Sequence, residues 1–158
     1  MSEEQKLTEL EFHKKAGVDL FNMTWDLLDK KDRTQEENDR MIHAAHASRY
    51  HWGLFGKPEN FARGEWQVSR VYAVLGRAEP ALYHAQRSLD ICLKNGIGDF
   101  DLAFAHEALA RSHALAGNAA EAKASLDQAR KAADGIPDEK TRTYFLGELA
   151  TVPGYQPA

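Results

Sequence analysis

The chain has 158 residues, of which 43% are hydrophobic and 28% are charged. This length and balance are ordinary for a globular protein and allow one buried domain or three to four helical hairpins. The formal net charge of −4 argues against nucleic-acid binding, for which a basic excess or a basic stripe is typical.

Three features of the sequence bear on where the protein resides. Residues 1–4 carry no apolar run, so we do not expect a signal peptide. The longest apolar stretches are only a few residues, far short of the roughly 20 that a membrane-spanning helix needs. The single cysteine, Cys92, excludes an internal disulfide framework and fits a reducing compartment. We therefore expect a cytoplasmic protein with no membrane segment.

Two long helices are predicted first along the chain. Apolar residues recur at three- and four-residue spacing from Leu7 to Leu28, which indicates an amphipathic helix of about 20 residues. Residues 34–37 (TQEE) match a capping box in which Thr34 is the N-cap and Glu37 reaches back to it. A second helix should run from there to about residue 54.

Proline and glycine mark the next two helices. Pro58 suits the first turn of a third helix, which we expect to end at Gly76. Pro80 opens a fourth helix, and the run Asn95–Gly98 breaks the chain after it.

Candidate caps also mark the fifth and sixth helices. Asp99 or Asp101 is predicted to cap the fifth helix, which should end at Gly117. Asn118 and Glu121 show the capping-box spacing again, so a sixth helix is expected directly after the glycine.

The C-terminal part is predicted to hold one more helix. Residues 135–137 (GIP) separate the sixth helix from a short last helix at about 138–150. The tail, 153–158, should be loose. We find no strand-like alternation, so the sequence predicts an all-α protein of about seven helices.

An internal repeat is the most informative feature of the chain. Residues 62–92 align without a gap to residues 103–133 at an offset of 41 residues. Identical residues fall at the turn and at the helix contacts, namely the pairs Arg70/Arg111, Ala73/Ala114, Gly76/Gly117, Ala78/Ala119 and Ala81/Ala122. A repeat of this size predicts paired helices stacked into a solenoid rather than one closed core.

Within each repeat, small and large residues occupy the positions that a helical hairpin needs. In the first repeat these are Val68, Ser69, Tyr72, Gly76, Ala81, Ala85 and Ser88, and in the second Leu109, Ala110, His113, Gly117, Ala122, Leu126 and Ala129. Small residues let the antiparallel helices approach closely, and larger ones fill the space between hairpins. This series resembles the tetratricopeptide repeat over about 62–133, and more weakly over 17–54.

The resemblance implies an all-α fold of antiparallel helical hairpins, stacked as a short right-handed solenoid. The period of 41 residues departs from the 34 that is usual for the family, and longer second helices and the loop 95–98 account for the excess. The run from His43 through Leu75 is also similar to uncharacterised bacterial proteins, which implies no function.

We predict a single helical-repeat domain over residues 1–152, followed by the tail. Its parts are a degenerate hairpin at 1–54, two repeats at 58–95 and 99–134, and a capping helix at 138–150.

The resemblance also implies a binding groove, because the first helix of each hairpin lines the concave side in this family. The groove residues would be Arg63, Trp66, Arg70 and Val74 in the first repeat, and Phe104, Glu107, Arg111 and Leu115 in the second. Arg70 and Arg111 are equivalent, so they should point the same way from hairpins about 10 Å apart. Paired arginines can grip carboxylates, and Trp66 and Phe104 would add apolar anchors.

We therefore predict a non-catalytic interaction module whose groove binds a protein or peptide partner. The arginines favour a partner with acidic groups, and a C-terminal carboxylate is one candidate. The competing interpretation is that Arg70 pairs with Glu107 or Glu65 inside the protein and only fixes repeat packing. A homodimer formed through the first helix, at Leu20, Phe21 and Trp25, is a further hypothesis.

A histidine-rich run on the second predicted helix supports a different class of function. His43 and His46 share a helix face, and with His51 they are candidate ligands of a transition metal in a metal-binding protein or metalloenzyme. A third ligand could come from His13, Asp19 or His84. Packing roles are the alternative, because the metalloprotease pattern His-Glu-x-x-His is missing.

Two further hypotheses concern small ligands and catalysis. A helical repeat that binds a small ligand predicts a deep aromatic pocket near Trp52 and Trp66. Nucleophile and nucleotide-binding glycine motifs are missing from the sequence. Cys92 has no activating histidine nearby in sequence, so we expect an inert buried thiol. No cofactor is predicted.

Overall fold

Residue 4 and residues 6–157 are described by a computed structural model of the chain. Within them the chain forms seven helices and no strand. The helices are α1 (Glu9–Asp29), α2 (Gln35–Phe55), α3 (Pro58–Val74), α4 (Ala78–Lys94), α5 (Asp99–Ala116), α6 (Ala119–Ala133) and α7 (Glu139–Leu149). The predicted all-α class is confirmed. Residues 1–3 and 5 of the predicted domain, and Ala158 of the tail, lie outside the described residues.

The helices pack as hairpins in chain order. The most extensive contacts join α1 to α2, α3 to α4, and α5 to α6, and each hairpin then contacts the next through α2 with α3 and α4 with α5. Helix α3 also contacts α1 and α5, while α7 packs on α5 and α6. Helices α1, α3 and α5, the first helices of the three hairpins, therefore lie side by side on one face of the array. Helix α7 covers the C-terminal end of the array, at the third hairpin. Among the described residues, no helix is both long and apolar enough to cross a membrane.

The two aligned repeats have the same turn geometry. Gly76 and Gly117 adopt φ angles of +75° and +80°, in the left-handed region that favours glycine. After each glycine, the next amide donates back to a carbonyl at an equivalent position. Arg77 N donates to Tyr72 O and Asn118 N donates to His113 O, both at 2.9 Å. The sequence repeat is thus a structural repeat at its turns.

The first and second hairpins each contain the same kind of contact between their two helices, a serine hydroxyl of the second helix that donates to a carbonyl of the first. Ser48 Oγ donates to the carbonyl of Gly17 at 2.7 Å, and Ser88 Oγ donates to the carbonyl of Ala62 at 2.9 Å. The offset in sequence is 45 residues between Gly17 and Ala62 but only 40 between Ser48 and Ser88. The first hairpin therefore carries extra residues between its helices, which weakens its match to the repeat.

The predicted starts of α2 and α3 agree with the structure, whereas that of α1 differs by two residues. The capping box at Thr34 and Glu37 is confirmed, with both hydrogen bonds at 3.1 Å. Pro58 stands at the start of α3, as expected. Helix α1 begins at Glu9 rather than Leu7, because Thr8 and Glu11 form a second capping box there.

The predicted cap of α5 is wrong, and that of α6 is at the predicted residue but lacks the capping-box hydrogen bonds. The N-cap of α5 is Gly98, not Asp99 or Asp101. Asp99 Oδ1 instead accepts a hydrogen bond from the next amide at 2.7 Å, while Asp101 pairs with Arg63. Asn118 is the N-cap of α6, where the sequence places it, but its side chain makes no cap hydrogen bond, and its Nδ2 lies 3.2 Å from His113 Nδ1.

Gly17 makes room for a buried tryptophan in the first hairpin, and Gly64 lies against the other side of the same indole. Trp52 of α2 is buried, and a Cβ on Gly17 would lie only 2.2 Å from its Cδ1 atom. A Cβ on Gly64 of α3 would lie 3.5 Å from its Cε3 atom. Helices α1 and α3 thus approach opposite parts of one indole, which joins the first hairpin to the second.

Part of the C-terminal tail packs against the domain. Val152 is buried, and Tyr155 packs against the core with the guanidinium of Arg130 4.8 Å above its ring. Arg130 also donates to the carbonyl of Gln156. Part of the segment 153–158, for which the sequence predicts a loose tail, therefore contacts the domain.

Candidate functional site

A charged cluster on the face shared by α1, α3 and α5 joins α3 to α5. Glu107 is fully buried, and its Oε2 accepts from Trp66 Nε1 at 3.0 Å. Its Oε1 accepts from Arg70 Nη1 at 2.9 Å and from Arg111 Nε at 2.7 Å. With Glu148 of α7, which bonds to Arg70, these residues form what we call the Glu107 cluster.

The Glu107 cluster also attaches α7 to the repeats. Arg70 Nη2 donates to the Glu148 carboxylate. Arg111 Nη2 lies 3.3 Å from the Glu148 carbonyl and 2.7 Å from Thr151 Oγ1. Two arginines and two glutamates therefore neutralise one another, and the internal pairing of Arg70 with Glu107 is confirmed.

An open cleft lies beside this cluster, among α1, α3, α5 and α7. Its volume is about 540 Å³, within the usual range for ligand pockets. Its aromatic lining consists of Phe21, Trp25, Trp66, Phe100, Phe104 and Tyr144, and its polar lining of Arg63, Asp99, Asp138 and Thr141. We call this the aromatic cleft.

The aromatic rings form a continuous row across the three hairpins. Trp25 lies 5.4 Å from Trp66 between ring centroids, and Trp66 lies 5.1 Å from Phe104. Trp66 and Phe104 are buried, whereas Tyr144 is 54% exposed. A smaller cleft of about 340 Å³ shares Trp25 and Tyr144 with the first. The row is therefore accessible at its α1 and α7 sides.

The charged groups around the aromatic cleft have distinct partners. Arg63 makes two 3.1 Å hydrogen bonds to Asp101 and lies 5.9 Å from the centroid of the Phe100 ring. Asp138 caps α7, and the hydrogen bond from the Thr141 hydroxyl, with that from its amide, lowers the pKa of this carboxyl. Asp138 is therefore ionised at neutral pH.

The exposed tyrosine of the cleft lies in a negative environment. The pKa of the Tyr144 hydroxyl is raised, first by partial burial and then by the carboxylate of Glu148. Asp29 and Glu107 act in the same direction, while Arg70 opposes them. The carboxylates around Tyr144 therefore outweigh the nearby arginine.

The structure divides the six predicted groove residues between these two features. Arg63, Trp66 and Phe104 line the aromatic cleft. Arg70, Glu107 and Arg111 belong to the Glu107 cluster, where Trp66 also donates its hydrogen bond. Their role in partner binding stays a prediction.

Seven of the ten residues that line the cleft were not predicted as groove residues, and Phe21, Trp25 and Tyr144 are the ones on α1 and α7 that contribute rings. Phe21 and Trp25 were assigned to a dimer contact, which stays a prediction, and the structure places both, half-buried, in the lining of the cleft. Aligning Gly17 with Ala62 at the 45-residue offset places them opposite Trp66 and Arg70, so the weak first repeat carried the missing signal. Tyr144 lies on α7, outside any repeat, and no signal identified it.

The histidines separate into two groups instead of forming one ligand set. His51 Nδ1 lies 2.9 Å from His13 Nδ1. His46 Nε2 lies 2.8 Å from the Tyr72 hydroxyl, and burial, followed by the charge of His84, lowers the pKa of His46. Within the described residues, no three His, Cys, Asp or Glu side chains are arranged to hold a metal. The candidates His43, His46 and His51 are thus not gathered around one point.

The single cysteine lies in the core. Cys92 is fully buried, and this burial raises the pKa of its thiol to about 12. The thiol is therefore protonated at neutral pH and is a poor nucleophile.

No protein-family model, curated protein or solved structure matches the chain.

Proposed function

We propose that the protein is a non-catalytic interaction module, resembling tetratricopeptide-repeat proteins, that binds a peptide or protein partner through its aromatic cleft. The observation that carries this proposal is the open row of aromatic rings on the face shared by α1, α3 and α5. Large aromatic side chains in a concave surface are the usual anchors of binding energy. The single cysteine supports a reducing compartment such as the cytoplasm.

The aromatic cleft supports binding better than the neighbouring Glu107 cluster does. The guanidinium groups of Arg70 and Arg111 already contact carboxylates, a carbonyl and a hydroxyl of the protein itself. A partner carboxylate would have to displace these bonds. The rings of Trp25 and Tyr144, in contrast, border open space.

Panning a phage library of short random peptides against the protein tests this proposal. Peptides that enrich on the wild type should bind Tyr144→Ala about tenfold more weakly, because an interface aromatic often contributes that much. The matched control is Tyr50→Ala, since Tyr50 lies on α2, away from the cleft, and is 65% exposed. Affinities are measured by fluorescence anisotropy with synthetic peptides, after circular dichroism has shown unchanged helicity.

The outcome that contradicts the proposal is clear. Enriched peptides that bind the wild type, Tyr144→Ala and Tyr50→Ala equally would exclude the cleft as the binding surface. A double reversal of Arg70 and Arg111 to glutamate is a poor substitute for Tyr144→Ala. It would place new carboxylates against Glu107 and Glu148 and would report on packing.

A small organic ligand is a second candidate for the same cleft. Its volume of about 540 Å³ and its aromatic walls suit such a ligand. Of the two tryptophans predicted to border a ligand pocket, Trp66 lines the cleft and Trp52 is packed between Gly17 and Gly64. A thermal-shift screen of small metabolites tests this candidate. A stabilising compound should lose its effect in Tyr144→Ala.

A further inference from the structure

The charge distribution around the aromatic cleft determines which partner side chain fits there. Each arginine on this face has an acidic partner within the protein: Arg63 pairs with Asp101, Arg70 with Glu148, and Arg111 with Glu107. Each of these three pairs is neutral and contributes no net charge to the face.

Two carboxylates at the edge of the cleft remain outside those pairs. Asp99 and Asp138 line the cleft, and within the described residues neither lies within 4 Å of a lysine or arginine nitrogen. One oxygen of each is held by backbone or side-chain donors: Asp99 Oδ1 by the next amide and Asp138 Oδ2 by Thr141. The charge of Arg142 helps to lower the pKa of Asp138 without a direct ion pair. The Nη1 of Arg142 donates instead to the carbonyl of Ile136 at 3.0 Å.

The smaller cleft, which shares Trp25 and Tyr144 with the aromatic cleft, adds a third acidic group. Asp29 lines it together with the paired residues Arg70 and Glu148. Aspartates therefore line both of the clefts that the aromatic row borders. Ring faces attract cations, and aromatic walls combined with carboxylates are the usual means of holding an ammonium or guanidinium group.

From this arrangement we propose that the aromatic cleft binds a cationic side chain, a lysine or arginine of the partner peptide, between its rings and the carboxylates of Asp99 and Asp138. This inference rests on the proposed peptide-binding function and reverses the polarity suggested by the arginine pair in the sequence. The aliphatic stem of the partner side chain would lie along Trp25 and Trp66, and its charge would face the acidic edge.

The enriched phage peptides give the first test. They should contain lysine or arginine beside apolar residues and few acidic residues. Substituting that cation by norleucine or glutamine should weaken binding to the wild type. Peptides that are acidic or uncharged, but still need Tyr144, would overturn the cationic inference and leave the proposed function standing. Peptides that do not need Tyr144 would overturn both.

A pair of isosteric substitutions isolates the two aspartates. In Asp99→Asn/Asp138→Asn the backbone is preserved, because asparagine tolerates the positive φ of 55° at residue 99 and is a good N-cap at residue 138. Removal of both charges should weaken binding of the cationic peptide about three- to tenfold at low salt, with a smaller loss at high salt. The control Asp39→Asn/Asp134→Asn removes equal charge from exposed positions on other surfaces. Equal affinity of both double variants would overturn the assignment.

A second measurement does not depend on the peptide library. The protein has three tryptophans, and their indole N–H signals can be followed by NMR. Choline should shift the signals of Trp25 and Trp66 more than its uncharged isostere 3,3-dimethylbutan-1-ol does. Trp52 is buried and does not line the cleft, but its ring lies 5.0 Å from that of Phe21, so its signal should shift less than those of Trp25 and Trp66. Equal shifts with the two compounds, or no shift with choline, would overturn the preference for a cation.

Discussion

The Glu107 cluster and the aromatic cleft lie side by side on the same face, yet they differ in how far their chemistry is satisfied. In the cluster, both oxygens of the fully buried Glu107 accept hydrogen bonds from groups of the protein. In the cleft, Tyr144 is 54% exposed and the rings of Trp25 and Trp66 border an open volume. The Glu107 cluster therefore stabilises the array, whereas the aromatic cleft has exposed ring surface that a partner could contact.

This difference shows that charge at a groove position does not by itself indicate a binding site. Arg70 and Arg111 occupy equivalent positions in two repeats, which suggests a paired clamp. Glu107, the repeat equivalent of Trp66, takes the guanidinium groups of both arginines as its own partners. A groove residue is available to a partner only if its hydrogen bonds are not already made within the protein.

The largest effect is expected from Glu107→Ala, which removes the acceptor shared by the two arginines. The loss leaves two cations, each mostly buried, with fewer partners, and should lower the free energy of unfolding by about 3 kcal/mol. Urea unfolding followed by circular dichroism measures it. The control Asp127→Ala breaks only exposed ion pairs on α6 and should cost less than about 1 kcal/mol. A similar cost for the two variants would mean that the Glu107 cluster is not structural.

A smaller effect is expected where α1 meets the buried indole of Trp52. In Gly17→Ala the new methyl group would lie 2.2 Å from Trp52 Cδ1, and such overpacking should cost about 1–3 kcal/mol. The control is Gly147→Ala in α7, where a Cβ meets nothing within 4 Å and helix propensity should add up to about 1 kcal/mol. If Gly17→Ala is also stabilising, the first hairpin does not pack as described. Thermal and urea unfolding of both variants would decide this.

Much of the fold could be predicted from the sequence, because its signals are local. The hydrophobic period, the Thr34 capping box and the glycine turns each depend on a few neighbouring residues. The cap of α5 and the missing side-chain bond at the N-cap of α6 could not be predicted, since Asp101 pairs with Arg63 and the Asn118 amide contacts His113. A pattern of acidic and amide residues cannot show which of two competing partners a side chain will choose.

The candidate site was harder to predict, since it depends on contacts between hairpins. The sequence identified Arg63, Trp66 and Phe104, which line the cleft. It could not show that α7 would cover part of the face and supply Tyr144, because α7 has no counterpart in the repeats. The pairing of Arg70 with Glu148, 78 residues away in sequence, is also invisible to any local pattern.

The burial of His106, which has no charged partner, should have a milder and pH-dependent effect on stability. His106 lies next to Glu107 on α5, and burial alone lowers its pKa from 6.5. As the pH falls below 6.5, the unfolded chain binds this proton before the folded one does, so stability decreases with falling pH. Urea midpoints at about pH 7.5 and about pH 5.5 should therefore differ less in His106→Gln than in the wild type. An unchanged difference would show that another group controls this range.

The smallest effect on stability is expected for Tyr144→Ala, and this is the sharpest test of the difference between the two regions. Tyr144 is the most exposed ring of the aromatic cleft, so its removal should change the free energy of unfolding by no more than about 0.5 kcal/mol. The same variant should lose about tenfold in affinity for a cleft-binding peptide. Glu107→Ala should show the opposite pattern, with a large loss of stability. Should Tyr144→Ala destabilise the protein as much as Glu107→Ala does, α7 and its tyrosine would belong to the packing of the array, and the cleft would lose its standing as a binding surface.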